Sequence, residues 1–506
     1  MSKNFAFALL FIIFGIFVAN GLADQLVLQR MPSMIQATYL NIAVELVDQW
    51  TGVDRIDLSM YGDILTLRFY PPVYLILLAL TFLLGGLSYL SVATLNIGLG
   101  LIALLALYQA GRLLADRPTG LLAALLFAAY PAIHKQCALG SIDYAFVCFA
   151  AVGFCLYVAW RHSRHIGWLV GWGLGVAVGM MTRWTFAVVV AALFLALLIE
   201  LFLVEKDRRR KNIRPFLLFL AVSVLACLPL VWWIIAQNSL PLLLGASQDE
   251  IMLMPFFQTV AFYPRLMLTQ GTGIVLGALA GLSFFALLIR RDRRAWPLLI
   301  WIAIGYVVFS FLPPKKLRYV LFLIPALALT TAYATHLFSR PRLRGLVIGL
   351  VALCCLLTLI GTYENAHPYD RQVLNELLDD IESDWSQEKT VTIMVHDRYY
   401  PPETDLNSIT LAFHNATENR SPKAFIEGNQ YADIVHKDIC MEPLPRFDYM
   451  IFPFVNQELS PQKIESLPLF SCFDFHEISR YDLNPYNGET GQINLYQLTS
   501  LFTSHE

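Results

Sequence analysis

The sequence predicts a mainly α protein, a polytopic helical membrane domain followed by a small C-terminal α/β domain. Three observations carry this. Hydrophobic residues make up 57% of the 506 residues and charged residues 15%, where soluble domains carry about 25% charge. The mean hydropathy of +0.57 is concentrated in apolar stretches, each long enough to cross ~30 Å of hydrocarbon. Those stretches stop near Thr362, and the remainder of the chain is polar and aromatic-rich. The chain therefore divides into a membrane domain over 1–362 and a second domain over 363–506. A net charge of −2 provides no field for polyanions, which excludes a nucleic-acid partner. A disulfide scaffold and a disordered tail are excluded by the same composition.

The apolar segments run over 4–23, 71–87, 89–111, 119–133, 142–160, 166–182, 184–204, 215–236, 271–290, 295–312, 319–338 and 345–361. Lys and Arg gather on the cytoplasmic side of membrane proteins. Arg112/Arg117 and Arg340/Arg342/Arg344 can face the same side as Lys3 only if one segment fails to cross. Segment 71–87 is short, opens on Pro71-Pro72 and closes on Gly85-Gly86, so it is read as an outer juxtamembrane or re-entrant helix. About eleven crossings remain. They place the amino terminus in the cytoplasm and the second domain outside it. The stretch from Lys3 to the ANGLA before Asp24 also fits a cleavable signal peptide, which leaves the later topology unchanged.

The long outer connections, 24–88 and 237–270, are where a pocket can be built. Within the first, 33–50 reads as an amphipathic helix. Ile35, Tyr39, Ile42, Leu46 and Trp50 lie on one face, and Thr38, Asn41, Glu45 and Asp48 form a polar stripe. Such a helix lies along the membrane interface or packs as part of the loop. Gly167, Gly171, Gly175 and Gly179 form a ridge that invites close approach of another helix.

Ionisable groups at membrane depth cost ~2.5–3.5 kcal/mol each on insertion scales and invite a functional reading. His134 and Lys135 close one segment, Asp143 opens the next, and Arg183 lies between two more. Lys315, Lys316 and Arg318 stand beside Tyr319 on the side that cations usually avoid. Either a lipid phosphate supplies the matching negative charge or loop carboxylates do.

In order, the chain carries FYPPVYLILLALTFLLGG, DRPTGLLAALLFAAYP, SIDYAF, GLGVAVGMMTRWTF and PPKKLRYVLFLIPALAL. This series over 1–362 resembles the GT-C superfamily of integral-membrane glycosyltransferases, in particular the branch of protein O-mannosyltransferases and lipid A aminoarabinose transferases. The resemblance implies sugar transfer from a polyprenyl-phosphate-linked donor to an acceptor hydroxyl on the outer face, usually with inversion. It implies no cofactor besides that donor and leaves a divalent metal open. The acceptor could be a protein, lipid A or a polysaccharide, and membrane lipids surround the site.

By the same likeness, Asp143 corresponds to an acidic residue of the family's site and Arg183 to a basic one. Lys316, Arg318 and Tyr319 match the positions that meet the lipid phosphate. Lys315, His134 and Lys135 are candidates through their charge at the membrane edge, and Arg68 either joins the cationic set or is a surface arginine. The family commonly carries Asp-Glu-x-x-Tyr in its first outer loop. Here the matching stretch is Ile35-Gln36-Ala37-Thr38-Tyr39, which keeps Tyr39 and lacks the acid pair. Asp24 is the preferred substitute base, ahead of Asp54, Asp57 and Asp63. The missing pair also motivates an alternative, a non-catalytic relative that binds lipid-linked saccharide or assists a partner. A transporter would show two similar halves with broken helices, and neither is evident.

Beyond Thr362, residues 370–385 have helical periodicity, and 390–395, 448–454 and 492–498 read as strands. Cys440 and Cys472 are the cysteines of this domain and could pair in an oxidising compartment. Asn415 and Asn419 begin glycosylation sequons that matter only in a eukaryotic secretory setting. No run of His, Cys, Asp or Glu has metal-ligand spacing.

Overall fold

The computed structural model describes residues 2–26, 34–52, 71–138, 140–200, 209–237, 256–311, 316–364 and 379, together with five strands between 391 and 501. At several helix ends and throughout the strands the description is of the backbone. The helices are α1 Lys3–Leu26, α2 Met34–Thr51, α3 Val73–Gly85, α4 Tyr89–Leu114 and α5 Arg117–Ala129. They continue with α6 Pro131–Ala138, α7 Ile142–Ser163, α8 Ile166–Met180, α9 Phe186–Ile199 and α10 Arg209–Ala236. The last are α11 Phe256–Leu266, α12 Ile274–Arg290, α13 Trp296–Phe311, α14 Ile324–Ala334 and α15 Pro341–Glu364. Five of them contain spans long and apolar enough to cross a membrane: Asn4–Ala23, Tyr89–Leu114, Ile142–Ser163, Ile213–Ala236 and Pro341–Leu359. The chain is an integral membrane protein.

Each apolar segment coincides with helix, and the differences have local causes. Segment 119–133 is not continuous. Asp116 caps α5 by accepting from Thr119 N (3.0 Å), and the helix ends where Tyr130 turns extended ahead of Pro131. α3 spans 13 residues, about 20 Å at 1.5 Å per residue, short of the hydrocarbon thickness. Segment 319–338 is an α-helix flanked by 3-10 turns at Leu321–Leu323 and Thr335–Leu337.

The chain forms two compact units. The first comprises Met1–Ala23, Thr66–Leu77 and Ala93–Ala366. In it, α7 packs on α8, α8 on α10, α9 on α13, and α5 and α12 on α14. The tightest contact joins α4 to α5. A Cβ at Gly111 would lie 2.7 Å from Gly120 Cα, and one at Gly120 would strike the Tyr108 carbonyl oxygen. Both obstacles are backbone, which cannot swing aside. The Gly167–Gly179 ridge is a packing surface as well. A Cβ at Gly171 or Gly175 would lie 3.2 or 3.3 Å from Leu156 side-chain carbons of α7, and one at Gly179 would strike the Phe186 ring.

Buried polar groups join helices where apolar packing cannot. Asn96 on α4 is fully buried; its Nδ2 donates to the Cys137 carbonyl at the end of α6 (2.8 Å) and its Oδ1 accepts from Tyr74 Oη (3.1 Å). Pro264 inside α11 has no N–H to offer the Val260 carbonyl, and the Tyr306 hydroxyl on α13 donates to it instead.

One end of this unit carries a charged network. Asp116 accepts from Arg344 (2.8 and 3.0 Å) and from Thr119 Oγ1 (2.7 Å), while Arg344 Nη2 also lies 2.9 Å from His336 Nε2. Burial raises the Asp116 pKa, but the hydrogen bonds from Thr119 and Arg344 and the guanidinium charge outweigh it and hold the carboxyl below its ordinary value. The network ties the α4–α5 turn to the start of α15, two of the basic turns read as lying on one side of the membrane.

The second unit comprises Asp24–Leu65, Leu78–Val92 and His367–Glu506. On α2, Thr38, Asn41 and Asp48 are as buried as Leu40, Val44 and Val47, while Glu45 is half-buried and Trp50 exposed, so most of the polar stripe is covered by protein. The strands are β1 Val391–Val395, β2 Lys423–Glu427, β3 Tyr449–Val455, β4 Phe473–Tyr486 and β5 Glu489–Leu501, ordered β2-β1-β3-β5-β4. β1 runs parallel to β2 and β3, while β5 is antiparallel to β3 and β4. Pro453 is accommodated in β3 because β1 pairs only with Tyr449–Ile451, so the missing donor falls past the end of that ladder. The proposed helix over 370–385 lies outside the described residues except for Asp379, as do Cys440, Cys472, Asn415 and Asn419.

Gly120→Ala should destabilise the protein by about 1–3 kcal/mol through overpacking against backbone. Gly281→Ala, whose Cβ meets nothing within 4 Å, should be neutral or stabilising; thermal unfolding in one detergent compares the two. Asp116→Asn should lower the unfolding temperature at neutral pH. The difference from wild type should persist above the unfolded carboxylate value of about 3.9 and vanish as pH falls through the depressed folded value.

Candidate functional site

The site is built from three turns of the first unit. Asp143 occupies the first turn of α7, whose start is capped by Ser141 Oγ accepting from Asp143 N (3.2 Å). A carboxylate is favoured there by the helix dipole. Arg183 lies in the turn between α8 and α9. Its N–H donates to Gly179 O (2.9 Å) and its carbonyl accepts from Phe186 N (2.9 Å), so the backbone is held on both sides. The same turn receives the start of α3, with Val73 N donating to Met181 O (3.1 Å). Tyr319 ends a single 3-10 turn, Leu317–Tyr319, its N–H donating to Lys316 O (3.1 Å).

These turns bring charges together. Arg183 Nη1 forms an ion pair with Asp143 Oδ1, and the two side chains are 13% and 3% exposed. Two charges withdrawn this far from water cost several kcal/mol each unless they are paired. The Arg183 Cζ lies 5.4 Å from the Tyr319 ring centroid and 6.0 Å from that of Phe146. Arg318 reaches the same tyrosine, with Cζ 5.1 Å from the ring centroid and Nη2 3.2 Å from the hydroxyl oxygen. Two guanidinium groups thus meet on one phenol ring, an arrangement that the ring quadrupole favours.

An aromatic floor fixes that ring. Tyr319 stacks on Phe309 of α13, with centroids 6.2 Å apart and planes 4° apart. Phe309 contacts Phe322 (5.6 Å), Phe322 contacts Phe146 (5.2 Å), and Phe146 contacts Phe186 (5.9 Å). Lys316 is exposed next to this group, and its main chain meets the Tyr263 hydroxyl. Chemically, the cluster offers planar, multidentate donors in a poorly hydrated setting, suited to a phosphate oxygen.

The other expected residues are placed differently. His134 is buried, its Nε2 set against the Ala128 carbonyl and its ring 6.1 Å from that of Phe17, so its contacts tie α6 to α5 and α1. Lys135 on α6 is exposed. Tyr39 is buried on α2, in the second unit. Asp24 falls in the last turn of α1, and its side chain, like all of Arg68, Lys315, Asp54, Asp57 and Asp63, lies outside the described residues.

Sequence reasoning places Glu45 and Asp48 in a polar stripe and gives them no chemical role. Asp48 is buried, and Glu45 accepts from Gln49 Nε2 at 3.3 Å. Burial raises the Glu45 pKa most; the Gln49 hydrogen bond opposes this and the nearby Asp48 charge adds to it, leaving the carboxyl above its ordinary value. Among the described residues no three His, Cys, Asp or Glu side chains gather as a metal site.

Residues 70–233 match the family model of dolichyl-phosphate-mannose-protein mannosyltransferase. No curated protein matches the sequence. Among solved structures, ArnT of Cupriavidus metallidurans, crystallised with undecaprenyl phosphate, is similar with a TM-score of 0.60 at 12% identity, covering 100% of both chains. The Archaeoglobus fulgidus oligosaccharyltransferase tethered to an acceptor peptide gives 0.58 at 12% identity over 89% of this chain and 69% of its own. The same organism's AglB, in complex with an inhibitory peptide and a dolichol-phosphate, gives 0.57 at 13% identity over 97% and 74%. The chain has the fold of the GT-C glycosyltransferases, with the mannosyltransferase match lying over its residues 70–233.

Proposed function

We propose that this protein transfers a sugar from a polyprenyl-phosphate-linked donor to an acceptor hydroxyl on the extracytoplasmic face of the membrane. The observation that carries the reading is the meeting of Arg183 and Arg318 on the Tyr319 ring, with Asp143 paired behind Arg183. In the reaction the acceptor oxygen bonds to the anomeric carbon as the bond from that carbon to the phosphate oxygen breaks. The phosphate leaves with the electron pair, and the acceptor proton goes to a base. Cations that hold the leaving oxygens stabilise charge as it develops. Arg183 and Arg318 take this role, with Lys316 exposed beside them.

Asp143 is a positioning residue in this scheme. Its carboxylate is engaged by Arg183 and withdrawn from solvent, so it orients the guanidinium and does not collect the proton. The acceptor proton goes to a carboxylate of the first outer loop, with Asp24 as the candidate that the sequence offers. Residues 1–362 form the membrane-embedded transferase part and 363–506 an extracytoplasmic α/β part, in the inner (plasma) membrane with the amino terminus cytoplasmic. The reading needs no cofactor besides the donor; chelation in the same assay tests for a divalent ion. A second reading, a relative that binds lipid-linked saccharide without turning it over, is favoured by the missing acid pair at Ile35-Gln36.

The test is transfer by purified full-length protein from a panel of polyprenyl-phosphate hexoses and pentoses. Arg183→Gln and Arg318→Gln should each lower kcat/KM by roughly 10- to 100-fold, as expected for a lost charged hydrogen bond of about 1.5–3 kcal/mol. Asp143→Asn should fall in the same range without shifting the pH profile. Wild-type turnover by both arginine variants would overturn the site. Donor binding without transfer by the wild type would favour the binder.

Asp24→Asn should abolish turnover while donor affinity stays unchanged. Full turnover by Asp24→Asn would move the base to another carboxylate of the first outer loop, Asp54, Asp57 or Asp63.

A further inference from the structure

The end of the first unit opposite Asp143 carries a second cationic surface. α7 runs from Asp143 to Arg161, about 27 Å at 1.5 Å per residue, and Arg161 lies within electrostatic reach of Tyr333. Around Tyr333 two arginine-rich turns stand side by side. One joins α12 to α13 and carries Arg290, Arg291, Arg293 and Arg294; the other leads into α15 and carries Arg340 and Arg342.

Polar contacts join these turns. The Tyr333 hydroxyl donates to Asp292 Oδ2 (2.9 Å), the Tyr333 and His336 rings lie 5.8 Å apart, and His336 Nε2 is 2.9 Å from Arg344 Nη2. Arg294 is in electrostatic reach of both rings, and α12 packs on α15. The first turn is also shaped from within. Arg291 takes the left-handed conformation (φ 53°) that closes α12, and Arg294 N donates to Asp292 Oδ1 (2.9 Å).

The six arginines are exposed, and among the described residues none forms an ion pair. The carboxylates within reach are already engaged, Asp292 by Tyr333 and Asp116 by Arg344. Next to the arginines, the same two helices expose Leu288 and Ile289 on α12 and Leu343 and Leu346 on α15. A row of guanidinium groups above lipid-facing aliphatic side chains matches an amphiphile with a phosphate head and acyl tails. All six cations are arginine. Net positive charge would be served equally by lysine, whereas the guanidinium fork binds phosphate oxygens in pairs.

We propose that the ends of α12 and α15 form a binding site for anionic phospholipid, its phosphate held between the two arginine turns. The site is independent of the transfer reaction.

The experiment uses full-length protein in nanodiscs and in detergent, with phosphatidylglycerol against phosphatidylcholine, and counts retained lipid by native mass spectrometry. Wild type should retain phosphatidylglycerol preferentially. The pair Arg293→Gln/Arg342→Gln should lower that retention by about tenfold or more, in line with the contribution of surface arginines near anionic lipid. Arg112→Gln/Arg164→Gln removes the same charge from other basic turns and should stay within about twofold of wild type. Equal loss in both pairs, no preference for the anionic lipid, or an unaffected first pair would each overturn the site. So would full retention by Arg293→Lys/Arg342→Lys, which keeps the charge and loses the fork. Unfolding temperature in phosphatidylcholine discs, expected to be unchanged, separates lost binding from lost folding.

Discussion

A buried carboxylate and guanidinium that must stay together constrain the first unit more than any other feature. Asp143 and Arg183 are forty residues apart in sequence, and neither would be tolerated alone at its depth, because the desolvation of an unpaired charge costs several kcal/mol. Their pairing locks the start of α7 against the turn between α8 and α9. That turn also receives the start of α3 through the bond from Val73 to Met181. Arg183 is then aimed at Tyr319, which Phe309 holds from below and which Arg318 meets from its own backbone turn. Four separate stretches of chain converge on this buried ion pair and the ring beside it.

The opposite end is organised by the same physics with different consequences. Asp116 caps α5 with one oxygen and binds Arg344 with both, so a helix-capping residue also pins the entrance of α15. Between the two ends the bundle depends on shape. α4 and α5 approach until Gly111 and Gly120 are in backbone contact, which only glycine permits. Polar bonds at Asn96 and at Tyr306 satisfy groups that the apolar surroundings would otherwise leave costly. The ion pair and the glycine seam fix which helices are neighbours, and the polar bonds fix their ends.

Much of this was legible from residues alone. Runs of apolar side chains have one stable outcome in a bilayer, the helix, because every backbone group must be bonded within its own segment. Hence the helices followed the apolar segments closely, and Asp143, Arg183, Arg318 and Tyr319 stood out as charge or aromatic at helix edges. The Gly167–Gly179 ridge does serve close packing, as its spacing implies, but whether a backbone or a side chain such as Leu156 or Phe186 fills the space depends on the partner. The helix over α2 was correctly expected, yet most of its polar stripe is buried, since amphipathic spacing does not say what covers the polar face. β2 and β4 were missed among the strands. β4 pairs with β5 through Tyr486 and Glu489 on either side of Asn487-Gly488, a hairpin signal that was available in the sequence.

The sequence by itself determined that the chain is membrane-embedded, where its helices run, where its composition turns polar, and which charged residues lie at helix edges. These are one-dimensional properties, set by how many consecutive side chains prefer lipid to water. Tertiary structure alone decided that Arg183 pairs with Asp143 and that two guanidinium groups share the Tyr319 ring. It also decided that His134 is buried against Phe17 and that two arginine-bearing turns stand side by side. Such pairings depend on angles and distances between helices far apart in the chain, and no periodicity or composition encodes them.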